Sequence, residues 1–367
     1  MLDLFRSQTA AMVDELGELV CCESPSRDPA ALERSADLVA ALGADVLGSA
    51  PERLVVGDTP HLRWRFGAAP SQLLILAHHD TVWPLGTLRS MPWQLDDYVA
   101  RGPGCFDMKA GLVLAWHAMA AQPDLTGVCL LVVGDEEIGS PTAAALIDEE
   151  SRGCRAVLVT EPSADGGQLK TARAGLAQYE VTITGRAAHA GLEPERGVNA
   201  AVELAGQVLA VAALGGGDAT VTPTVLAAGT TVNTVPAAAR LAVDVRATTS
   251  AAMERIDDAL RTLRPTHPEA SVDVDRVVYL PPLEAERSAA LAALAGEVAG
   301  RLGLPPVGGT AVRGASDGNR TAANGIPTLD GLGAVGGGAH AASEHVRIDR
   351  LADRAALLAG LIGELSP

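Results

Sequence analysis

The chain is expected to be an α/β protein: a mostly parallel sheet flanked by helices, interrupted by an inserted, ferredoxin-like α+β unit. Three observations predict this. Aliphatic runs at residues 73–77, 128–133 and 157–160 lack alternation, as strands buried on both faces of a parallel sheet do. Helical stretches fall between them, and βαβα alternation builds a sheet covered on both sides. From about residue 175 the pattern changes: QYEVTIT at 178–184 alternates with period two, and the order strand–helix–strand–strand–helix–strand follows to residue 278.

The elements follow in order. A helix is expected over 2–20, and a second over 29–42 with Pro29 in its first turn and Gly43 past its end. Short strands are expected at 54–56 and 61–66. The run at 73–77 leads into His78, His79 and Asp80, and the loop RGPGCFDMKAG precedes a helix over about 109–120. The run at 128–133 leads into three adjacent carboxylates, Asp135, Glu136 and Glu137; a helix follows from about Pro141, and strand 157–160 ends at Glu161. Within the insert, helices are expected near 198–213 and 251–263, with strands near 221–227, 240–246 and 271–278. Pro281 and Pro282 mark the return, and helices near 289–302 and 350–365 flank the loops VRGASDGNR and GAVGGGAH. The expected division is a discontinuous catalytic domain, 1–174 with 280–367, and an insert at 175–279.

The 367 residues are enough for two domains, and 48% apolar with 20% charged residues describes a globular chain. A net charge of −17 argues against a nucleic-acid partner. No run approaches the ~18 apolar residues that span a bilayer, so no membrane partner is expected. Asp3, Asp14 and Glu15 break up the N-terminal stretch where a secretory signal would be apolar, so a cytoplasmic location is expected. Cys21, Cys22, Cys105, Cys129 and Cys154 are odd in number without CxxC spacing, and read as buried reduced thiols.

Ligands in open α/β sheets bind beyond the carboxyl ends of the strands. Metal-type side chains fall there: His78 with Asp80, Asp107 in the following loop, Glu136 with Glu137, and Glu161, while His340 sits in a Gly-rich loop near the C-terminus. Acids so close to a core repel one another and lose hydration unless a cation compensates. Imidazole mixed with carboxylate suits Zn²⁺, or Co²⁺ or Mn²⁺.

The motifs AHHDTVWP, GPGCFDMKAG, GDEEIGS, VTEPS, GRAAHAGLEPERGVNA, AGTTVNTVP, DVRA, GASDGN and GAH carry a family resemblance. In kind and order they are similar to those of the co-catalytic zinc amidohydrolases, which include glutamate carboxypeptidase, acetylornithine deacetylase, succinyl-diaminopimelate desuccinylase and aminoacylase. The likeness runs from residue 78 to residue 340 and is nearest to glutamate carboxypeptidase. It implies a zinc-exopeptidase-like catalytic fold with two Zn²⁺ per subunit, Co²⁺ or Mn²⁺ being substitutes. His78, Asp107 and Glu161 would hold one ion and His340, Asp107 and Glu137 the other, with Asp107 bridging; a cis peptide at Asp107–Met108 is implied as well. Glu136 would be the general base for the attacking water, and Asp80 would fix the tautomer of His78.

For the insert, the resemblance implies a lid that also forms a homodimer. His189 would stabilise the oxyanion, Asn233 would make a second substrate contact, and Arg246 would grip a substrate carboxylate with its guanidinium fork. The implied reaction is hydrolysis of an amide or peptide bond next to a free carboxylate, in a carboxypeptidase-like or dipeptidase-like enzyme acting on small peptides. Deacylation of an N-acyl amino acid is the alternative, and a binding protein of the same fold without catalysis is a second. Val312 and Arg313 depart from the small residues usual before GASDGN; Arg313 reads as a surface charge, with a second substrate carboxylate as its other reading. His61, His79, His117, His267 and His345 read as structural or surface residues.

Overall fold

Aliphatic runs with no polar side are stable in the middle of a sheet covered on both faces. In the computed structural model of the chain, which describes residues 1–68 and 70–366, all three runs lie there. Strand Leu73–His78 is flanked by Val128–Val133 and Ala156–Val159 and runs parallel to both. Every residue of the three is buried. Thr328–Leu329 adds a parallel strand beside Ala156–Val159, while Thr59–Arg65 and Glu52–Val56 join antiparallel on the other side. Among the described residues this makes a six-stranded sheet.

The pleat sends successive side chains to opposite faces. Leu73, Ile75, Ala77, Leu130 and Val132 enter a core shared with helices Leu2–Cys21, Ala110–Ala120 and Leu351–Leu365. Leu74, Leu76, Leu131, Val133 and Val159 enter a second core with Ile147 of helix Ala144–Ser151. Helix Ala110–Ala120 is buried from Ala110 through Met119, as a helix apolar on every side must be.

Several elements depart from expectation. Helix Pro29–Leu47 starts as its sequence predicts, with Asp28 accepting from the Ala31 amide, but runs through Gly43 to a left-handed Gly48 at φ 69°. Gly43 serves packing instead: a Cβ there would stand 2.6 Å from Trp64 Cζ2. The loop VRGASDGNR contains helix Asp317–Ala323, whose capping box pairs Ser316 with Asn319 rather than with the usual Glu or Gln. The helix expected from Pro141 begins at Ala144. Strands Gln94–Asp96, Val99–Arg101, Leu169–Arg173 and Gly309–Val312 lie where none is expected, because segments this short owe their conformation to pairing partners. All five cysteines are free; Cys21 is exposed and Cys22 half-buried, because both sit where the first helix runs out.

By internal contacts the chain forms two compact units. The first comprises Met1–Ala172, Glu284–Val312 and Ser316–Pro367, and the second Arg173–Leu283 with Arg313–Ala315. The second holds a four-stranded antiparallel sheet in the order Ala219–Ala228, Ala238–Ala247, Gly175–Thr184, Ser271–Leu280. Helices Ala200–Ala212 and Ser250–Arg261 make the connections, which gives the ferredoxin-like βαββαβ order. Ala177, Tyr179, Val181 and Ile183 point into its core and meet Leu241, Val243 and Val245, so the period-two pattern marks a real inner face. No helix among the described residues is long and apolar enough to cross a membrane.

Gly111, in the first turn of its helix, lies against the end of strand Ala156–Val159: a Cβ there would sit 1.9 Å from the Thr160 carbonyl oxygen. Gly111→Ala is therefore expected to destabilise the first unit by about 1 to 3 kcal/mol through overpacking. Urea unfolding followed by tryptophan fluorescence measures this; a midpoint equal to the wild type would contradict the packing account.

Candidate active site

Three parallel strands share a direction, so their carboxyl ends share one edge of the sheet. His78 closes one strand, Glu136 and Glu137 follow the second in a short 3₁₀ turn, and Glu161 follows the third. Asp107 comes from the turn Cys105–Lys109, where its backbone leaves the helical region (φ −112°, ψ 96°) and the Asp107–Met108 peptide is cis, as the motif resemblance implies. His340 lies between the paired strands Gly336–Gly337 and His345–Arg347, at φ 59°.

These side chains meet in two groups that share Asp107. His78 Nε2 is 3.5 Å from Asp107 Oδ1 and 3.3 Å from Glu161 Oε1. His340 Nε2 is 3.3 Å from Asp107 Oδ2 and 3.2 Å from Glu137 Oε2. Donors placed tetrahedrally at zinc-ligand bond lengths lie about 3.3 Å from one another. Among the described residues, His78 Nε2 and Glu137 Oε1 are buried without a well-formed hydrogen bond, as atoms left for cations would be. The residues fit a pair of divalent ions. The His78 side chain is 1% exposed and that of His340 51%, so the second group faces solvent.

One grouping differs from expectation. Ligand atoms of His78, Asp107 and Glu137 lie within 4.8 Å of one another, and so do those of His78, Glu136 and Glu161. Glu136 is thus within ligand range, but it makes no ion pair with either imidazole, whereas Glu161 and Glu137 do.

The electrostatics are those of crowded acids. Burial, reinforced by the charge of Glu161, pushes Glu136 well above the usual carboxylate range. Burial also raises Glu137, against the pull of His340. Burial acts upward on Asp107 too, yet His340 and His78 overcome it and hold that carboxyl well below its usual range. Asp107 and Glu137 in turn raise His340 to about 10. Burial favours the neutral ring of His78, but Asp107, Asp80 and Glu161 outweigh it and raise that imidazole well above its ordinary value. The acids favour the charged form of both imidazoles, and a divalent cation would compete with protons for the same nitrogen lone pairs.

Asp80 orients His78. The ring Nδ1 lies 3.0 Å from the Asp80 carbonyl oxygen and 3.3 Å from Oδ1, which turns Nε2 toward Asp107 and Glu161. Asp80 itself accepts from Ser26 Oγ and from the Glu136 and Glu137 amides, so it ties the strand ends together. His79 points the other way, to Ser35 Oγ and the Pro60 carbonyl, and burial lowers it to about 4. It is structural.

Three residues at this edge carry no assignment from sequence. Asp317, in GASDGN, accepts from Ser140 Oγ at 2.6 Å and lines a small cavity with His78, Glu136 and Glu161; burial raises it to about 7. Lys170 Nζ lies 3.7 Å from Glu161 Oε2. Glu344 is buried and accepts the amides of Gly104, Phe106 and Asp107. Composition holds a signal for the lysine that the motifs do not: only Lys109 and Lys170 are lysines among 28 lysine and arginine residues. Lys109 is buried beneath the Asp107 turn, donating to the Leu19 and Cys22 carbonyls.

The second unit carries His189, Asn233 and Arg246. His189 is exposed, and its Nδ1 accepts the Gly191 and Leu192 amides at 3.1 Å. A backbone N–H can only donate, so Nδ1 carries the lone pair and the neutral ring has its proton on Nε2. The Asn233 carbonyl accepts from the Ala190 amide, which joins the two loops. Arg246 turns Nε and Nη2 to Asp244 on its own strand, at 3.0 and 3.4 Å, leaving Nη1 for another acceptor. Arg313 is exposed. His61 and His117 are buried structural residues, bonded to Thr142 and Glu15.

Residues 74–364 match the family model described as peptidase family M20/M25/M40. The chain is 31% identical over 388 aligned positions to carboxypeptidase G2 of Pseudomonas sp. (strain RS-16), covering 99% of this chain and 92% of that protein. Its fold is similar to that of aminopeptidase PepT from Bacillus cereus ATCC 10987, at TM-score 0.73 and 19% identity over 97% of this chain and 98% of that one. It is also similar to a Bacillus subtilis dinuclear metal binding peptidase of family M20, at TM-score 0.70 and 16% identity over 97% and 98%. The matched span and the full-length similarity agree: the chain belongs to peptidase family M20/M25/M40 and is a metallopeptidase.

Proposed function

We propose that the protein is a dinuclear, zinc-dependent carboxypeptidase that cleaves an amide or peptide bond next to a free carboxylate. The observation that carries this reading is the pair of imidazole–carboxylate groups sharing Asp107, with nitrogen–oxygen separations of 3.2 to 3.5 Å. His78, Asp107 and Glu161 would hold one ion, and His340, Asp107 and Glu137 the other. Two such ions, when bound, supply Lewis acidity for the scissile carbonyl and acidify water.

The chain's own groups do the rest. Glu136, half-buried beside His78 and Glu161, takes the proton of the attacking water and delivers it to the leaving nitrogen. Asp80 keeps His78 in the tautomer that presents Nε2. His189, with its proton on Nε2, donates to the carbonyl oxygen as negative charge develops, the stage at which a preorganised donor contributes most. Asn233, joined to the His189 loop, is assigned the neighbouring contact. The Nη1 edge of Arg246 is assigned the substrate carboxylate. These three assignments rest on their motifs and on the local geometry of the second unit.

The second unit also supports the homodimer reading. Val202 and Leu209 on helix Ala200–Ala212, and Val225 and Leu226 on the edge strand Ala219–Ala228, are exposed at 50 to 74%. Apolar residues clustered on an edge strand and its neighbouring helix mark a surface built to be covered.

Three outcomes test these assignments. Chelation should abolish activity, and Zn²⁺ or Co²⁺ should restore it; Glu136→Gln should still bind two ions by metal analysis yet lose about 100- to 10,000-fold in kcat, whereas loss of both ions would show that base and ligand are misassigned. In a substrate panel, C-terminal glutamyl peptides should be hydrolysed in preference to N-acetyl amino acids, with Arg246→Ala raising KM for the former; the reverse preference would mark a deacylase. Light scattering should give a dimer that Leu209→Glu converts to monomer, and a wild-type monomer would remove the dimer from the scheme.

A further inference from the structure

The turn that carries Asp107 places three backbone amides on one side. Gly104 sits at φ 71°, where a Cβ would stand 2.5 Å from Thr81 Cγ2, so the chain can reverse there only without a side chain. All three amides point at Glu344. Its Oε2 accepts the Gly104 amide at 2.9 Å, and its Oε1 accepts those of Phe106 and Asp107 at 2.9 and 3.0 Å. A fourth donor, the Trp83 indole N–H, lies 2.8 Å from Oε2. Each oxygen therefore has two donors, and the residue is 1% exposed. Convergent backbone amides of this kind form an anion-binding nest, occupied here by a carboxylate about 240 positions along the chain.

The donors and the acceptor belong to three segments, each bearing a proposed ligand. Trp83 follows His78 by five residues, the Gly104–Asp107 turn contains Asp107, and Glu344 follows His340 by four. We propose that Glu344 is a positioning residue of the metal centre, fixing the backbone from which Asp107 reaches toward both His78 and His340. This rests on the two-metal reading above. Glu344 would touch neither ion: its acceptor oxygens are filled by N–H donors.

The test compares wild type, Glu344→Gln and Trp83→Phe, each prepared metal-free and titrated with Zn²⁺ against a chromophoric chelator and with Co²⁺ by visible absorption. Replacing one oxygen by an amide –NH₂ sets donor against donor inside the turn. Glu344→Gln should bind metal about 10- to 100-fold more weakly, with an altered Co²⁺ spectrum. Trp83→Phe, which removes one donor from Oε2 and leaves the Oε1 pair intact, should change both far less. Wild-type affinity and an unchanged spectrum in folded Glu344→Gln would overturn the inference, whatever its thermal midpoint. If that variant does not fold, hydrogen exchange in the wild type decides: the amides of residues 104–107 should be protected with and without metal, and fast exchange in the metal-free protein would overturn it. A wild type that binds no divalent ion defeats the two-metal reading itself; two ions held equally tightly by Glu344→Gln defeat this inference alone.

Discussion

Carboxylates gathered at the edge of a buried parallel sheet repel one another, and every one of them has lost water. Asp80, Asp107, Glu136, Glu137, Glu161 and Asp317 all stand in this position. The structure answers with four kinds of compensation. Asp80 is held by a hydroxyl and two amides. Asp317 is bonded by Ser140. Glu161 has Lys170 close by. Asp107, Glu137 and Glu161 face two imidazoles. Among the described residues, two atoms at the centre, His78 Nε2 and Glu137 Oε1, still lack a well-formed hydrogen bond. A divalent charge there would relieve the acids and the imidazoles together, which is why the site reads as a metal centre more readily than as a proton relay.

Much of this was legible in the residues because buried parallel strands have a strong signature. The aliphatic runs ending at His78, Asp135 and Glu161 gave the central strands and the common edge, and the period-two pattern of QYEVTIT gave the inner face of the second sheet. The clustering of imidazoles and carboxylates was legible because they fall at strand ends that share one edge of the sheet. What escaped had no local signature. Helix Asp317–Ala323 has seven residues and no apolar stripe, so its only announcement is a capping box closed by Asn319. Gly43 looks like a helix terminator and is a packing residue, because the indole that requires it lies 21 positions further along the chain. Strands Gln94–Asp96 and Val99–Arg101 acquire their conformation from each other and from His345–Arg347.

Glu344 shows the same limit within the site. Nothing in ASEHV distinguishes it from a surface acid, since its role is set by amides 237 to 240 residues away. A carboxylate normally reveals itself in sequence by what it does to a substrate or a metal. One that only accepts backbone N–H groups reveals itself through the shape of the turn it fills, and turn shape here depends on Gly104 and on tertiary contacts. Residues that touch the chemistry therefore tend to be readable from their type and order, while those that hold them in place become visible only when both ends of a long-range contact are known.

The candidate residues of the two units differ along the same line. The first gathers its candidate ligands on strand ends and on turns held by buried hydrogen bonds, the kind of support that metal coordination requires. The second presents His189, Asn233 and Arg246 on exposed or half-exposed backbone. Its order is local: amides fix the His189 tautomer, a loop–loop bond joins Asn233 to it, and Asp244 steers the Arg246 fork. Each of these bonds is made within the second unit itself. The orientation of the imidazole, the loop and the guanidinium is therefore set by the residues on either side of them in the chain and on the facing loop, a local order that needs no partner beyond that loop.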